Sequence, residues 1–311
     1  MFVGFFASLP VQANPAILLL PSIGTTHQVI IHGRVLSNAP SSGHSTFSKN
    51  VRSLASRNWE GAALEVRFAG RTASTVSGDD GDFEVAVNSG EVEFETGLGV
   101  VEATVKGAKS VAVVDVIAAT APFFVISDFD DTVAVTNVLR STALLESAFL
   151  KDGVTQPPVE GMAKWYQCLK QGPTERPVFA LVSGSPVQFG DRVKTFLRKN
   201  GFPQFGVYLR DLGPSTLSEY KQPVIRKLLA ALPQKVVLIG DSGEKDPEVY
   251  AQIQKEFPDR VLATYIRNVG RDEDPKRFRN MMLFKEPAEA AADSAGRSLA
   301  SAECVKAWLS P

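Results

Sequence analysis

Four unbroken apolar runs set the tightest limit on how this chain can fold: FFVIS (123–127), VFALV (178–182), VVLIG (236–240) and VLATY (261–265). A strand without polar alternation is buried on both faces, which is the habit of parallel strands covered by helices. Helix-like segments stand between the runs. One is expected from about Val187 to Asn200, with Gly201 just past its end. A second is read as opening at Pro223, its buried face made of Ile225, Leu228, Leu229 and Leu232. A third opens at Asp246-Pro247-Glu248 and repeats Val249, Ile253 and Phe257 every four residues. The Ala-rich tail from Glu286 also reads as helical. The half from 121 to 311 is therefore expected to be α/β, a Rossmann-like parallel sheet.

The first half carries a different pattern. QVIIHGRVL (28–36), ALEVRFAG (63–70), DFEVAV (82–87), VVEATVKG (100–107) and VAVVDVIA (111–118) read as short strands separated by Gly and Asp turns. They predict a small antiparallel, β-sandwich-like domain over 28–120, interrupted by a Ser-rich loop at 37–58. Asp79-Asp80-Gly81-Asp82 is read as a solvated turn, because it lacks the later Glu of a calcium-binding loop. Residues 1–27 are read as a segment packing on this domain. A cleaved signal peptide is the alternative, weakened by the absence of Lys or Arg before Arg34 and by Pro10.

Composition removes several function classes. With 33 Lys and Arg against 34 Asp and Glu, the chain lacks the basic excess that holds nucleic acid. No apolar run reaches the roughly 20 residues of a membrane span. The three histidines all precede residue 45, so chemistry placed later runs without imidazole. The two cysteines, Cys168 and Cys304, are far apart and are read as neither a disulfide framework nor a zinc site.

What remains is carboxylate chemistry. FFVIS runs into Asp128-Phe129-Asp130-Asp131-Thr132, and ligands of open α/β sheets bind at the carboxyl ends of strands. Asp128 and Asp130, one residue apart, can face one crevice and repel each other unless a cation such as Mg²⁺ sits between them. One Asp could then attack phosphorus and the other exchange a proton with the leaving oxygen. VVLIG ends at Asp241, with Asp246 five residues on; VFALV ends at Ser183; Lys221 precedes the Pro223 helix. A cation, donors for phosphoryl oxygens and an in-line nucleophile are what phosphoryl transfer requires.

DFDDT after an apolar strand, the strand ending in Ser183, the isolated Lys221 and GDSGEKD resemble the four motifs of the haloacid-dehalogenase-like phosphatase superfamily. More narrowly, VISDFDDTVAVTNV, LVSGSPVQF and VVLIGDSGEKDPEVYAQI are similar to the actin-patch-associated phosphatidate phosphatase family. The resemblance runs from about Phe123 to Val269, and the β-rich region resembles that family's N-terminal extension. It implies Asp128 as the nucleophile that becomes an aspartyl-phosphate and Asp130 as general acid/base. Ser183 and Lys221 would hold phosphoryl oxygens, with Ser185 an alternative to Ser183. Mg²⁺ would be bound by Asp128, the main-chain carbonyl of Asp130 and Asp241, with Asp246 as ligand, helix cap or both. Phe129 departs from the smaller aliphatic residue expected between the two Asp residues.

The expectation is thus a Mg²⁺-dependent phosphomonoesterase with phosphatidate as substrate. The alternatives are a phosphatase of a soluble or protein-borne monoester and a non-catalytic binding protein. The gap between Asp128 and Ser183 leaves room for a small helical insertion, including a helix over 136–150, and not for a large lid. Such an open site suits a lipid phosphate at a membrane surface. Arg267, Arg271, Lys276, Arg277 and Arg279 form a basic stretch interleaved with acids, read as a solvated charged loop, with a contact for anionic head groups as the alternative. The expected location is cytoplasmic, with peripheral membrane contact.

Overall fold

The computed structural model describes residues 15–37, 57–136, 156–172, 174–210, 217–270 and 274–310. The start of the N-terminal segment, most of the Ser-rich stretch, nearly all of the helix expected over 136–150, and Arg271 lie outside them.

The first half builds one eight-stranded sheet. Its strands are β1 (Ala16–Leu19), β2 (Ser22–Thr25), β3 (Gln28–Leu36), β4 (Ala63–Phe68), β5 (Arg71–Val76), β6 (Asp82–Asn88), β7 (Gly97–Val105) and β8 (Ala108–Ile117). They run in the order β1-β3-β2-β8-β7-β4-β5, with β6 on the other side of β3. The five strands read from sequence are present. The antiparallel expectation holds for every described pairing but one: β2 lies parallel to β8. Buried Val29, Ile31, Val66, Phe83, Val101 and Val114 share one apolar cluster, so sequentially distant strands face one another across a core. The segment before residue 28 is more than packing material, because β1 and β2 are members of this sheet. Between β5 and β6 the predicted turn forms, with Gly81 at φ 74° where a Cβ would meet the Val35 carbonyl.

The second half is a six-stranded, wholly parallel sheet of β9 (Phe123–Ser127), β10 (Phe179–Pro186), β11 (Phe205–Arg210), β12 (Lys235–Asp241), β13 (Val261–Arg267) and β14 (Met282–Phe284). The order β11-β10-β9-β12-β13-β14 puts β9 and β12, the two strands that lead into acidic motifs, side by side. All five residues of β9 are buried, as its unbroken apolar run requires. One face is covered by α1 (Met162–Gln171), α2 (Gly190–Lys199), α5 (Pro287–Gly296) and α6 (Ala302–Leu309). The other is covered by α3 (Leu217–Ala231) and α4 (Asp246–Glu256).

Two expectations change here. Helix α3 begins six residues before Pro223, which lies inside it. Proline removes one helical hydrogen bond, and the burial of Ile225, Leu228, Leu229 and Leu232 outweighs that loss. Lys221 is therefore a helix residue and not the end of a loop. The second change concerns the cysteines: Cys168 on α1 and Cys304 on α6 are joined in a disulfide across 136 residues. Docking of the C-terminal helices onto α1 brings together positions that spacing kept apart. The Ala-rich tail is helical as expected, in two helices broken at Arg297–Ser301.

The two halves interlock. On β11 the Val207 N–H donates to the Pro21 carbonyl, and the Val207 carbonyl oxygen lies 2.9 Å from His32 Nε2. The His32 ring also stacks on Tyr208, and Arg176 forks onto the buried Asp115 of β8. Among the described residues no helix is long and apolar enough to cross a membrane.

Candidate active site

The chain turns sharply after β9, and that turn sets the site. Asp128 is fully buried, and its N–H donates to the Ile239 carbonyl of the neighbouring β12. Asp131 takes a left-handed conformation, φ 51°. The strain is held by Thr136, which donates its N–H to Asp131 Oδ1 and accepts from the Asp131 N–H, and by Arg267, which donates to the Asp131 carbonyl. Between the two acids Phe129 is buried and meets Phe196 edge-on at 5.3 Å, so the larger side chain is a packing accommodation. Behind the turn, the Tyr166 hydroxyl lies 2.6 Å from Ser127 Oγ, which donates to the Asp128 carbonyl.

Three further elements converge on the same point. From β10, Ser183 and Ser185 both donate to Asp130 Oδ2, at 3.2 and 2.9 Å. Ser183 Oγ also accepts from the Ser185 N–H. From α3, Lys221 Nζ donates to Asp128 Oδ1 at 2.8 Å and to Asp246 Oδ1 at 2.5 Å. From β12, Asp241 accepts the Gly243 N–H through Oδ2 and donates its own N–H to Asp246 Oδ2. A Cβ on Gly240 would sit 2.4 Å from Asp246 Oδ2, so only glycine lets that carboxylate approach β12. All six residues singled out in the sequence thus meet in one buried cluster.

Asp246 is not a helix cap. It is the first residue of α4, with Lys245 at the cap position, and both its carboxylate oxygens face inward. One acid was missed: Glu244 stands 3.5 Å from Lys221 Nζ with its side chain buried. Its place within GDSGEKD was the available signal. Tyr166, which braces the Asp128 peptide, carried none, because only tertiary packing brings α1 under β9.

Five carboxylates surround a single lysine. Burial is the largest influence on Asp128 and Asp241 and lifts both carboxyls well above the usual range, with Lys221 opposing. Burial and then the Asp128 charge lift Asp130 to about 7, and burial lifts Glu244 to about 7. Lys221 is held well above its ordinary range by Asp128, Asp246 and Glu244, which together outweigh its burial. Negative charge in such excess calls for a further cation or for protons.

The free acceptors tell where a cation fits. Asp128 Oδ2, Asp130 Oδ1 and Asp241 Oδ1 are buried and have no hydrogen-bond partner among the described residues. Asp128, Asp241 and Asp246 bring one carboxylate oxygen each within 4.8 Å of one another. This all-oxygen set suits a hard divalent ion. Because Asp246 already serves Lys221 and the Asp241 N–H, the open oxygens of Asp128 and Asp241 are the better ligands, with Asp246 behind them.

Residues 123–268 match the family described as phosphatidate phosphatase APP1, catalytic domain. Through this region the chain is similar to that catalytic-domain family. Phosphatidate phosphatase APP1 of Saccharomyces cerevisiae is 31% identical over 151 residues, which are 46% of this chain and 25% of the yeast protein. An uncharacterised protein of Schizosaccharomyces pombe is 30% identical over 156 residues, 48% of this chain and 25% of its own length. The chain thus spans about a quarter of the length of these curated relatives. The Pnkp1/Rnl/Hen1 complex contains a chain similar at 18% identity, with a TM-score of 0.35 over 49% of this chain and 48% of that one, too low to carry an argument.

The Arg277 expectation is corrected by its contacts. Its guanidinium forks onto Glu248 and donates to the Ser242 and Glu244 carbonyls, clamping the loop that carries Asp241 and Asp246. It is a brace of the site, not a free cation for head groups. Arg267 is likewise engaged with Asp131, while Lys276 and Arg279 are exposed.

Proposed function

We propose that this chain is a Mg²⁺-dependent phosphomonoesterase of the haloacid-dehalogenase type whose substrate is phosphatidate, released as diacylglycerol. The observation that carries the reading is the divided use of Asp128. One of its oxygens is fixed by Lys221, while the other is buried and unpartnered; Asp241 also keeps an unpartnered oxygen, and the two residues each bring a carboxylate oxygen within 4.8 Å of the other's.

In this reading an Asp128 oxygen attacks the phosphorus, and the bond from phosphorus to the lipid oxygen breaks. Asp130, lifted to about 7 by burial and its neighbour, gives that oxygen its proton. A water then loses a proton to Asp130 and attacks the phosphorus, the bond to Asp128 breaks, and inorganic phosphate leaves. Lys221 holds Asp128 in place and offers its ammonium to the phosphoryl oxygens. Ser183 and Ser185 orient Asp130 through its Oδ2, leaving Oδ1 for the proton, and Ser183 is the proposed donor to a phosphoryl oxygen. Bound between Asp128 and Asp241, Mg²⁺ would neutralise charge on the transferring group.

The match of residues 123–268 to the phosphatidate phosphatase APP1 catalytic-domain family, and the likeness to the yeast enzyme, favour phosphatidate over other monoesters. The test is turnover of phosphatidate in mixed micelles beside soluble sugar and nucleotide monophosphates, with Mg²⁺ and with excess chelator. Phosphatidate should be the better substrate by kcat/KM, and chelator should abolish all turnover. Better turnover of soluble esters would overturn the lipid assignment, and full activity in chelator would overturn the mechanism.

A further inference from the structure

We propose that the cavity between the β-rich half and helix α3 receives one acyl chain of the lipid whose phosphate is held at Asp128, an inference that rests on the phosphatase reading. The cavity measures about 520 Å³ and lies against α3 from Tyr220 to its C-terminal end. That volume falls within the ~300–1,000 Å³ of pockets that enclose small ligands. At 1.5 Å per residue, Tyr220 to Leu232 gives the groove a reach of roughly 18 Å, suited to a long, thin ligand.

The groove's lining includes close chain neighbours of two site residues. Tyr220 precedes Lys221 in the chain, and Val187 follows Ser185 by two residues; both line the cavity. Buried Leu20, Ile23 and Leu228 form its apolar floor. The one imidazole on its wall presents no unmet polar demand: His32 has Val207 O on one nitrogen, Ser22 Oγ on the other, and Tyr208 stacked on its face. At the outer edge an exposed Lys227–Glu84 pair sets a polar margin. Gln28, Arg34 and Asp82 also line the cavity; a mainly apolar trough near a phosphate-binding cluster, with polar side chains along its β-rich wall and rim, has the amphipathic layout of a lipid phosphate. It also gives the β-rich half a role, since that half supplies the wall opposite α3.

The test uses phosphatidates of graded chain length, about 6 to 18 carbons, with p-nitrophenyl phosphate as the chain-free ester. Val224 and Ala231 line the near and far parts of the groove on α3 and take no part in the phosphate cluster. In the wild type kcat/KM should climb by up to about fourfold per methylene before levelling. Val224→Trp should cost at least ~10-fold on long chains and under ~2-fold on p-nitrophenyl phosphate, while Ala231→Trp should move the plateau to shorter chains. Binding of the fluorescent fatty acid cis-parinaric acid reads the cavity without turnover; the wild type should bind it and Val224→Trp should not. A wild type indifferent to chain length that binds no fatty acid overturns the inference and leaves the phosphatase reading intact. Equal losses on all esters in Val224→Trp also overturn it. Fatty-acid binding by a protein that hydrolyses no phosphomonoester would sink the phosphatase reading while the cavity assignment stood.

Discussion

Replacing Lys221 with Met tests how the acidic cluster is held together. Lys221 is 1% exposed, and its Nζ contacts Asp128 and Asp246, with Glu244 a little farther away. Met keeps most of the volume and removes the charge. Taking one partner from a buried ion pair costs about 3–5 kcal/mol, because the other charge stays buried and uncompensated. The loss should depend on pH. Without the ammonium, the Asp128 carboxyl, already lifted by burial, rises further above its unfolded value near ~3.9, so the folded state takes up protons. Stability of the variant is then lost as pH rises through the raised folded value, and the gap from wild type should widen from pH 5 to pH 8. Urea denaturation at both pH values, in chelator to exclude divalent cations, measures it. Turnover should fall by about 10²–10³, the usual effect of removing one donor to the transition state. A Met variant as stable as wild type at pH 8, or with turnover reduced less than ~3-fold, would refute this account of the lysine.

Other perturbations probe separate parts. The Cys168–Cys304 bond closes a loop of 136 residues, which by chain entropy contributes up to about 5 kcal/mol; Cys304→Ser, or dithiothreitol on the wild type, should lower the urea midpoint, and two titratable thiols in the native protein would contradict the bond. Such bonds persist in oxidising compartments, so the same measurement on protein from its native source bears on the cytoplasmic expectation. In single-turnover experiments Asp130→Asn should nearly abolish alcohol release from alkyl phosphates while sparing much of the nitrophenolate burst from p-nitrophenyl phosphate, whose leaving group needs no proton; equal losses in that first step would remove the general acid. Since the acid must be protonated, wild-type kcat on alkyl esters should decline as pH rises through about 7. Arg277→Glu should lower turnover of soluble and lipid esters alike, because it releases the 242–248 loop; a loss confined to vesicles would restore the head-group role.

Legibility in the sequence followed the range of the forces involved. β9, β10, β12 and β13 were readable because burial on both faces forces a continuous apolar run, a local property. The site was readable for a related reason: Asp128 and Asp241 sit where such runs stop, and β9 and β12 are neighbours in the sheet. Short β1, β2 and β14 offer three or four residues each, too few for a period, and β5, RTASTV, buries almost nothing. The parallel β2–β8 pairing joins residues about ninety positions apart and leaves no mark on either segment. Pro223 misled because a proline reads locally as a helix start, whereas the core beneath α3 fixes where that helix lies. The disulfide and the Tyr166 brace depend on docking of whole helices, which residue spacing does not encode.

The central claim is that Asp128 carries the phosphoryl group. The direct measurement is to quench turnover of phosphatidate in acid, reduce the trapped acyl-phosphate with borohydride and locate the modified residue by mass spectrometry. The account predicts that Asp128 alone is converted to homoserine, and that neither Asp128→Asn nor protein held in chelator yields the product. Modification at another residue, or steady-state turnover with no covalent phosphoprotein at any quench time, would contradict it.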